Sequence, residues 1–142
     1  MGEHVHHVHV FTEDLDETIR WWTEKLGGEV AFDGDFGGSR NVFMRVGEGR
    51  IHFYDQRPRD TGKGAIHHVG IRCDDLRELR RQLIKHGIEL RSEIREFGSW
   101  RYLMCMAPDN VLLELFEAER DGLDPELASY FLDPPSAAAL EA

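Results

Sequence analysis

The chain has 142 residues, of which 41% are apolar and 31% charged, and its formal net charge is −10. This size and balance predict a globular protein, built as one compact domain or as two small halves that share a core. The apolar runs are too short to cross a bilayer, no signal-peptide pattern opens the chain, and basic residues do not cluster. We therefore expect a cytoplasmic protein with neither a membrane nor a nucleic acid as its partner.

Hydrophobic periodicity and turn residues predict alternating strands and helices along the chain. Asp14 and Asp74 or Asp75 are candidate N-caps of two helices, and Gly27 and Gly87 are their expected ends. In chain order the predicted elements are a strand over 5–11, a helix over 15–25, strands over 29–33, 41–46 and 50–55, a strand over 66–73, a helix over 76–86, strands over 89–95, 101–107 and 111–117, and a short helix starting at Asp124–Pro125.

An internal repeat organises these elements. His-Val occurs at 7 and at 68 and Asp-Leu at 14 and at 75, in each case 61 residues apart. A steady offset over the whole length indicates two related β-α-β-β-β modules. We therefore predict an α+β protein with a first βαβββ module over 1–56, a linker over 57–64, a second βαβββ module over 65–118 and a C-terminal tail over 119–142.

Strand alternation places four metal-ligand side chains on the face opposite the helices. His7 and His52 are separated by 45 residues in the first module, and His68 and Glu114 by 46 in the second. If the two sheets curve around one cavity, the four converge, and three imidazoles with one carboxylate are an ordinary ligand set for a first-row divalent metal. The alternative is that each is a solvated or hydrogen-bonded strand residue.

Three motifs resemble those of the vicinal oxygen chelate superfamily, which includes glyoxalase I, methylmalonyl-CoA epimerase, fosfomycin-resistance transferases, extradiol dioxygenases and bleomycin-binding proteins. They are "HVHVFTEDLDETIRWWTEKLGG", "HHVGIRCDDL" and "APDNVLLELFE", and the resemblance covers about residues 4–117. The resemblance implies paired βαβββ modules that form a cupped mixed sheet around a divalent metal, in a protein that is a homodimer.

Carried over by motif position, the resemblance assigns His7, His68 and Glu114 as ligands. It also assigns His52, where glyoxalase I has a glutamate and the epimerase a glutamine. The distance from His7 to the Asp-Leu pair distinguishes it from His4 and His6, which are expected to point away or to lie at a frayed end. Asn110 follows Asp109 directly, so the glycine of the family's closing motif is missing.

Strand parity adds candidates for substrate contacts on the same face. Arg45 and Arg72 suit an anionic substrate, although surface or structural ion pairing is equally consistent with them. Aromatic strand residues favour a partly apolar substrate, and simple core packing is their alternative. The candidate substrate-binding residues are His9, Phe43, Arg45, Tyr54, Arg72, Tyr102 and Met104.

These features predict a metal-dependent lyase or isomerase of the glyoxalase type that acts on a small oxygenated substrate. Its cofactor would be one divalent ion (Zn, Ni, Co, Mn or Fe), and its catalytic residues Glu114 and His52, with His52 either a ligand or a general base. An Fe(II)- or Mn(II)-dependent extradiol-type dioxygenase is the first alternative. A non-catalytic protein that binds or confers resistance to a small molecule is the second.

Overall fold

Two four-stranded mixed sheets with associated helices make up the chain, as the α+β prediction of tandem βαβββ modules requires. The computed structural model describes residues 5–60, 66–90 and 92–133. The described residues fall into an N-terminal unit, which comprises Val5–His67 and Ala107–Val111, and a C-terminal unit, which comprises His68–Met106 and the chain from Leu112 onwards.

The N-terminal unit contains the first βαβββ succession. Its elements are β1 (Val8–Thr12), α1 (Leu15–Leu26), β2 (Glu29–Phe36), β3 (Ser39–Val46) and β4 (Gly49–Asp55). The strands lie in the order β1-β4-β3-β2, with β1 parallel to β4 and the other neighbours antiparallel. The first and last strands of the module therefore lie side by side at one end of the sheet.

Capping residues set the limits of α1. The Asp14 carboxylate accepts a hydrogen bond from the Glu17 backbone N–H, and Gly27 ends the helix in the left-handed region at φ 69°. Trp22 is 1% exposed and contacts Phe53 of β4, with 5.6 Å between the ring centroids. The helix thus covers the sheet face that carries Ile51 and Phe53, and the neighbouring residues of β4 point to the opposite face.

The C-terminal unit repeats the succession. Its elements are β5 (Val69–Arg72), α2 (Leu76–Lys85), β6 (Arg95–Phe97), β7 (Trp100–Ala107), β8 (Val111–Ala118) and α3 (Pro125–Leu132). The last residue of β7, the first of β8 and the short 3-10 turn between them, Pro108–Asn110, belong to the N-terminal unit. The strand order is β5-β8-β7-β6, with β5 parallel to β8.

A buried arginine marks the helix side of this second sheet. Arg101 on β7 is 7% exposed and donates to the Glu117 carboxylate on β8. The same carboxylate accepts the Leu76 backbone N–H at the start of α2. Leu113 and Leu115, which share the parity of Glu117, are fully buried. Glu114 therefore lies on the face opposite α2.

Several predicted strand boundaries need correction. The strand predicted over 66–73 starts at Val69, and the one predicted over 29–33 extends to Phe36. The strand expected over 89–95 is wrong, because the structure has a three-residue strand at Arg95–Phe97. Glu93 instead forms an ion pair with Arg80 of α2. The opening strand starts at Val8 rather than at residue 5. The helix predicted to start at Asp124–Pro125 is confirmed as α3. In the described part of the chain no helix has both the length and the apolar character needed to span a bilayer.

Candidate metal centre

Two of the predicted ligands stack on each other in the N-terminal unit. His7 directly precedes β1 and His52 lies on β4; their ring centroids are 3.7 Å apart and their planes differ by 14°. Phe43 of β3 stacks on His52 as well, at 3.9 Å and 21°. Phe32 of β2 continues the contacts at 5.1 Å from Phe43. The four rings thus form a column across the sheet face opposite α1. His52, Phe43 and Phe32 come from the strands β4, β3 and β2, and His7 comes from the residue just before β1.

This environment favours the neutral form of His52. Burial lowers the pKa of its imidazole, and the positive charge that His7, His9 and His6 acquire on protonation lowers it further. An imidazole must be neutral to ligate a metal ion. A lowered pKa therefore keeps His52 available as a ligand, or as a proton acceptor, at a pH where a free histidine is partly protonated.

A third histidine joins this pair. His6 Nδ1 lies 3.0 Å from His7 Nδ1, and the ligand atoms of His6, His7 and His52 all lie within 4.8 Å of one another. His6 was expected either to point away or to lie at a frayed end; it lies before β1, as in the second alternative, and its side chain does not point away from His7. Strand alternation does not apply to residues that precede β1, so neighbouring side chains there can turn to the same side. His4 lies outside the described residues.

The other two predicted ligands meet in the C-terminal unit. His68 directly precedes β5, and Glu114 lies on β8, where its Cα is paired with that of Gly70. His68 Nε2 is 3.5 Å from Glu114 Oε2, and the two side chains are 35% and 28% exposed. The imidazole and the carboxylate are therefore close enough to act on one bound species while both remain accessible.

The two pairs occupy equivalent places in their modules. In each, one residue comes just before the first strand, and the other lies on the parallel neighbour of that strand. Neutral imidazoles and a carboxylate are donors that suit zinc, nickel, cobalt, manganese or ferrous iron, so the residues present fit a divalent ion. That the two pairs share one ion stays a prediction.

Comparison with known proteins agrees with this architecture. The model of the Glyoxalase/Bleomycin resistance protein/Dioxygenase superfamily matches residues 4–115, a span that contains both ligand pairs. The chain belongs to this superfamily. No curated protein matches this superfamily member in sequence.

Solved structures of this superfamily's fold are similar over most of the chain. The fosfomycin resistance protein FosX from Listeria monocytogenes has 17% identity and a TM-score of 0.69, covering 84% of this chain and 96% of that chain. The same protein complexed with Mn(II) and sulfate has a TM-score of 0.65, at 17% identity over 84% and 95%. A glyoxylase/bleomycin resistance protein/dioxygenase domain from Frankia sp. EAN1pec has 20% identity and a TM-score of 0.70 over 87% and 96%. At these identities the likeness shows the fold alone.

The predicted substrate-binding residues have different surroundings in the structure. His9 lies beside Tyr54, with 5.8 Å between the ring centroids, and the Tyr54 hydroxyl donates to the Gly37 carbonyl. Arg72 donates to the carbonyl oxygens of Phe131 and Leu132 at the end of α3, at 3.3 and 2.6 Å. Its guanidinium therefore has a structural role whatever else it binds.

The other three candidates are less constrained. Arg45 is exposed and has no ion pair among the described residues. Met104 is half-buried on β7, and Tyr102 stacks against Trp100 on the same strand. Sequence reasoning missed Trp100 and Phe97, although strand parity would have placed Trp100 with Tyr102. The substrate-binding role of all these residues stays a prediction.

A structural role for the closing motif was also missed. Asp109 adopts φ 62° and Asn110 φ 59°, left-handed conformations that a glycine would adopt more easily. The Asp109 carboxylate accepts the hydroxyl of Thr12 at 2.7 Å and the backbone N–H of Glu13 at 3.2 Å. It therefore ties the end of β1 to the turn before β8.

Proposed function

We propose that this protein is a metal-dependent enzyme of the glyoxalase type, a lyase or isomerase that acts on a small carbonyl- or hydroxyl-bearing substrate. His7, His68 and Glu114 hold the ion, and His52 is either a fourth ligand or a base. The occurrence of ligand pairs at equivalent positions of both modules carries the proposal. A cytoplasmic homodimer is part of the same proposal and rests on the superfamily.

The metal, when bound, supplies Lewis acidity that stabilises negative charge on a substrate oxygen. The chain's own residues then have to bind the ion and move a proton. The Glu114 carboxylate can accept a proton from a substrate carbon or hydroxyl, and His68 at 3.5 Å can hold that carboxylate in place. The lowered pKa of His52 makes its imidazole a second proton acceptor near neutrality.

The stacking of His7 on His52 favours a second candidate function. An imidazole lone pair lies in the plane of its ring, and two nearly parallel rings 3.7 Å apart have no common in-plane position for an ion. Unless one of the two rings turns, His52 stays in its stack and does not bind the ion. The remaining metal ligands are then two histidines, His7 and His68, and one carboxylate, Glu114. This is the ligand set of non-haem Fe(II) oxygenases, so an extradiol-type dioxygenase is the alternative.

Elemental analysis of the full chain, purified without a chelator, tests the metal site. We expect one divalent ion per chain, and a loss of affinity of about 100-fold or more in His7→Ala, His68→Ala and Glu114→Ala, since each removes a direct ligand. His86→Ala is the control, because His86 is exposed at the C-terminal end of α2, and α2 covers the sheet face opposite Glu114. A wild-type chain that takes up none of the five candidate metals would refute the proposal.

His52→Ala separates the two possible roles of His52, and oxygen consumption separates the two functions. If His52 is a base within the stack, the His52→Ala variant keeps its metal and loses activity. If His52 is a fourth ligand, the variant loses both the metal and the activity. Oxygen consumption by the Fe(II)-loaded protein with a catechol would support the dioxygenase. An active protein loaded with zinc or nickel and indifferent to oxygen would exclude it.

A further inference from the structure

Three aromatic rings in the C-terminal unit form an exposed patch, which we call the aromatic platform: Phe97 on β6 with Trp100 and Tyr102 on β7. Their ring centroids lie 4.7, 5.9 and 5.7 Å apart, and their planes differ by no more than 17°. Phe97 is 49% exposed and Trp100 is 38% exposed. Rings stacked in this way leave their edges and the outer face of an end ring accessible, and a further aromatic ring can stack on that face or pack against the edges.

The platform lies on the same sheet face as Glu114. Arg101 and Leu103, which alternate with Trp100 and Tyr102 along β7, are buried on the side of α2. Trp100 and Tyr102 therefore point to the other face, as Glu114 does on the neighbouring strand β8. A molecule that rests on the platform would lie over the face that carries the candidate ligand.

An exposed arginine, Arg95, lies beside the platform. Arg95 precedes Phe97 by two residues, so it shares its face, and its Cα is paired with that of Tyr102. Arg95 is exposed and has no acceptor among the described residues. All other described arginines of this unit donate to a carboxylate or carbonyl oxygen; they are Arg72, Arg77, Arg80, Arg81, Arg101 and Arg120.

We propose that the aromatic platform and Arg95 bind a planar aromatic molecule that carries an anionic substituent, such as an aryl carboxylate. The platform takes the ring by stacking, and the Arg95 guanidinium takes the carboxylate with paired N–H donors. The chain's net charge of −10 repels anions in general, so an anion has to find a local cation of this kind. Identifying this ligand as the substrate rests on the proposed function; its binding does not.

The test is calorimetric titration of the full chain, with and without a chelator, using three matched probes. They are 2-naphthoate, its saturated analogue decahydro-2-naphthoate, and the neutral 2-naphthalenemethanol. We expect 2-naphthoate to bind at least about 5-fold more tightly than either of the others, because only it offers both a flat π face and a charge. Equal affinity for the three, or no binding of 2-naphthoate at millimolar concentration, would overturn the proposal.

Two variants assign the contributions. Arg95→Gln should lose the preference for 2-naphthoate over the neutral 2-naphthalenemethanol. Phe97→Leu should lose the preference for 2-naphthoate over decahydro-2-naphthoate. Arg77→Gln is the control, since Arg77 lies on α2 and pairs with Glu96. Unchanged preferences in both test variants would also overturn the proposal.

These outcomes are distinct from those of the metal experiment. Chelator-treated protein that still prefers 2-naphthoate supports the platform whether or not a metal is found. A protein that holds its ion through Glu114 but shows no such preference loses this inference and keeps the proposed function.

Discussion

Removing the Asp109 carboxylate should destabilise the protein markedly. Thr12 is fully buried; its hydroxyl donates to Asp109 at 2.7 Å and lies 2.6 Å from that of Thr18. A hydrogen bond to a charged acceptor contributes about 1.5–3 kcal/mol, and alanine tolerates a φ of 62° less well than aspartate does. Glu13 is exposed, so water can replace the second hydrogen bond. We expect Asp109→Ala to lower the free energy of unfolding by about 2–4 kcal/mol.

Urea unfolding followed by circular dichroism measures this loss, and Asp109→Asn is the matched control. Asparagine tolerates the left-handed region and keeps one acceptor oxygen, so the control should lose no more than about 1 kcal/mol. If Asp109→Ala unfolds within about 0.5 kcal/mol of wild type, or if the two variants are equally unstable, the assignment of Asp109 as a tether is wrong.

Three further predictions concern helix ends and thiols. Gly27→Ala should cost about 1 kcal/mol in thermal unfolding, because φ is 69° while a Cβ there meets nothing within 4 Å; an unchanged midpoint would contradict the conformational argument. Asp75→Ala removes the carboxylate that accepts the N–H of Glu78 and should cost about 1 kcal/mol in urea unfolding, whereas Asp75→Asn should cost little. Burial raises the pKa of the Cys73 thiol from 9.0 to about 11, which leaves about one hundredth as much thiolate at pH 8. Burial also raises that of Cys105, so Ellman's reagent should react far more slowly with the folded protein than in urea, and equally fast reaction in both would refute the shift.

Local signals were sufficient to predict much of the fold. The predicted helices 15–25 and 76–86 differ from α1 and α2 by one residue at one end each, because aspartate caps and glycines act within a single turn. The repeat then indicated which strands belong together. The strand over 89–95 was misplaced because the alternation of apolar and polar residues indicates only which side of a segment is buried. It cannot show that Glu93 forms an ion pair with α2 instead of lying in a strand of the sheet.

Strand parity and the repeat together predicted the members of both pairs, although His7 and His68 directly precede β1 and β5. His52 and Glu114 lie within strands, and their faces follow from buried neighbours. His6 lies before β1, where parity sets no direction, so the proximity of its side chain to His7 could not be predicted. Arg72 has the expected parity, but its hydrogen bonds to the end of α3 join residues about 60 positions apart, which no local pattern reveals. Contacts of that range require the tertiary structure.

The duplicated scaffold is nearly symmetric, but the chemistry placed on it is not. At equivalent positions one module carries two stacked imidazoles and the other an imidazole beside a carboxylate. A carboxylate attracts a divalent cation and can return a proton, whereas stacked neutral imidazoles contribute little charge. Under the proposed function, the C-terminal pair both contributes to holding the ion and supplies the base, and the N-terminal pair influences which ion is held. One fold can serve many reactions in this way, since a change from glutamate to histidine at a single strand position alters charge and softness without altering the backbone. Metal identity is thus the property that most directly separates the candidate reactions, and it can be measured before any substrate is known.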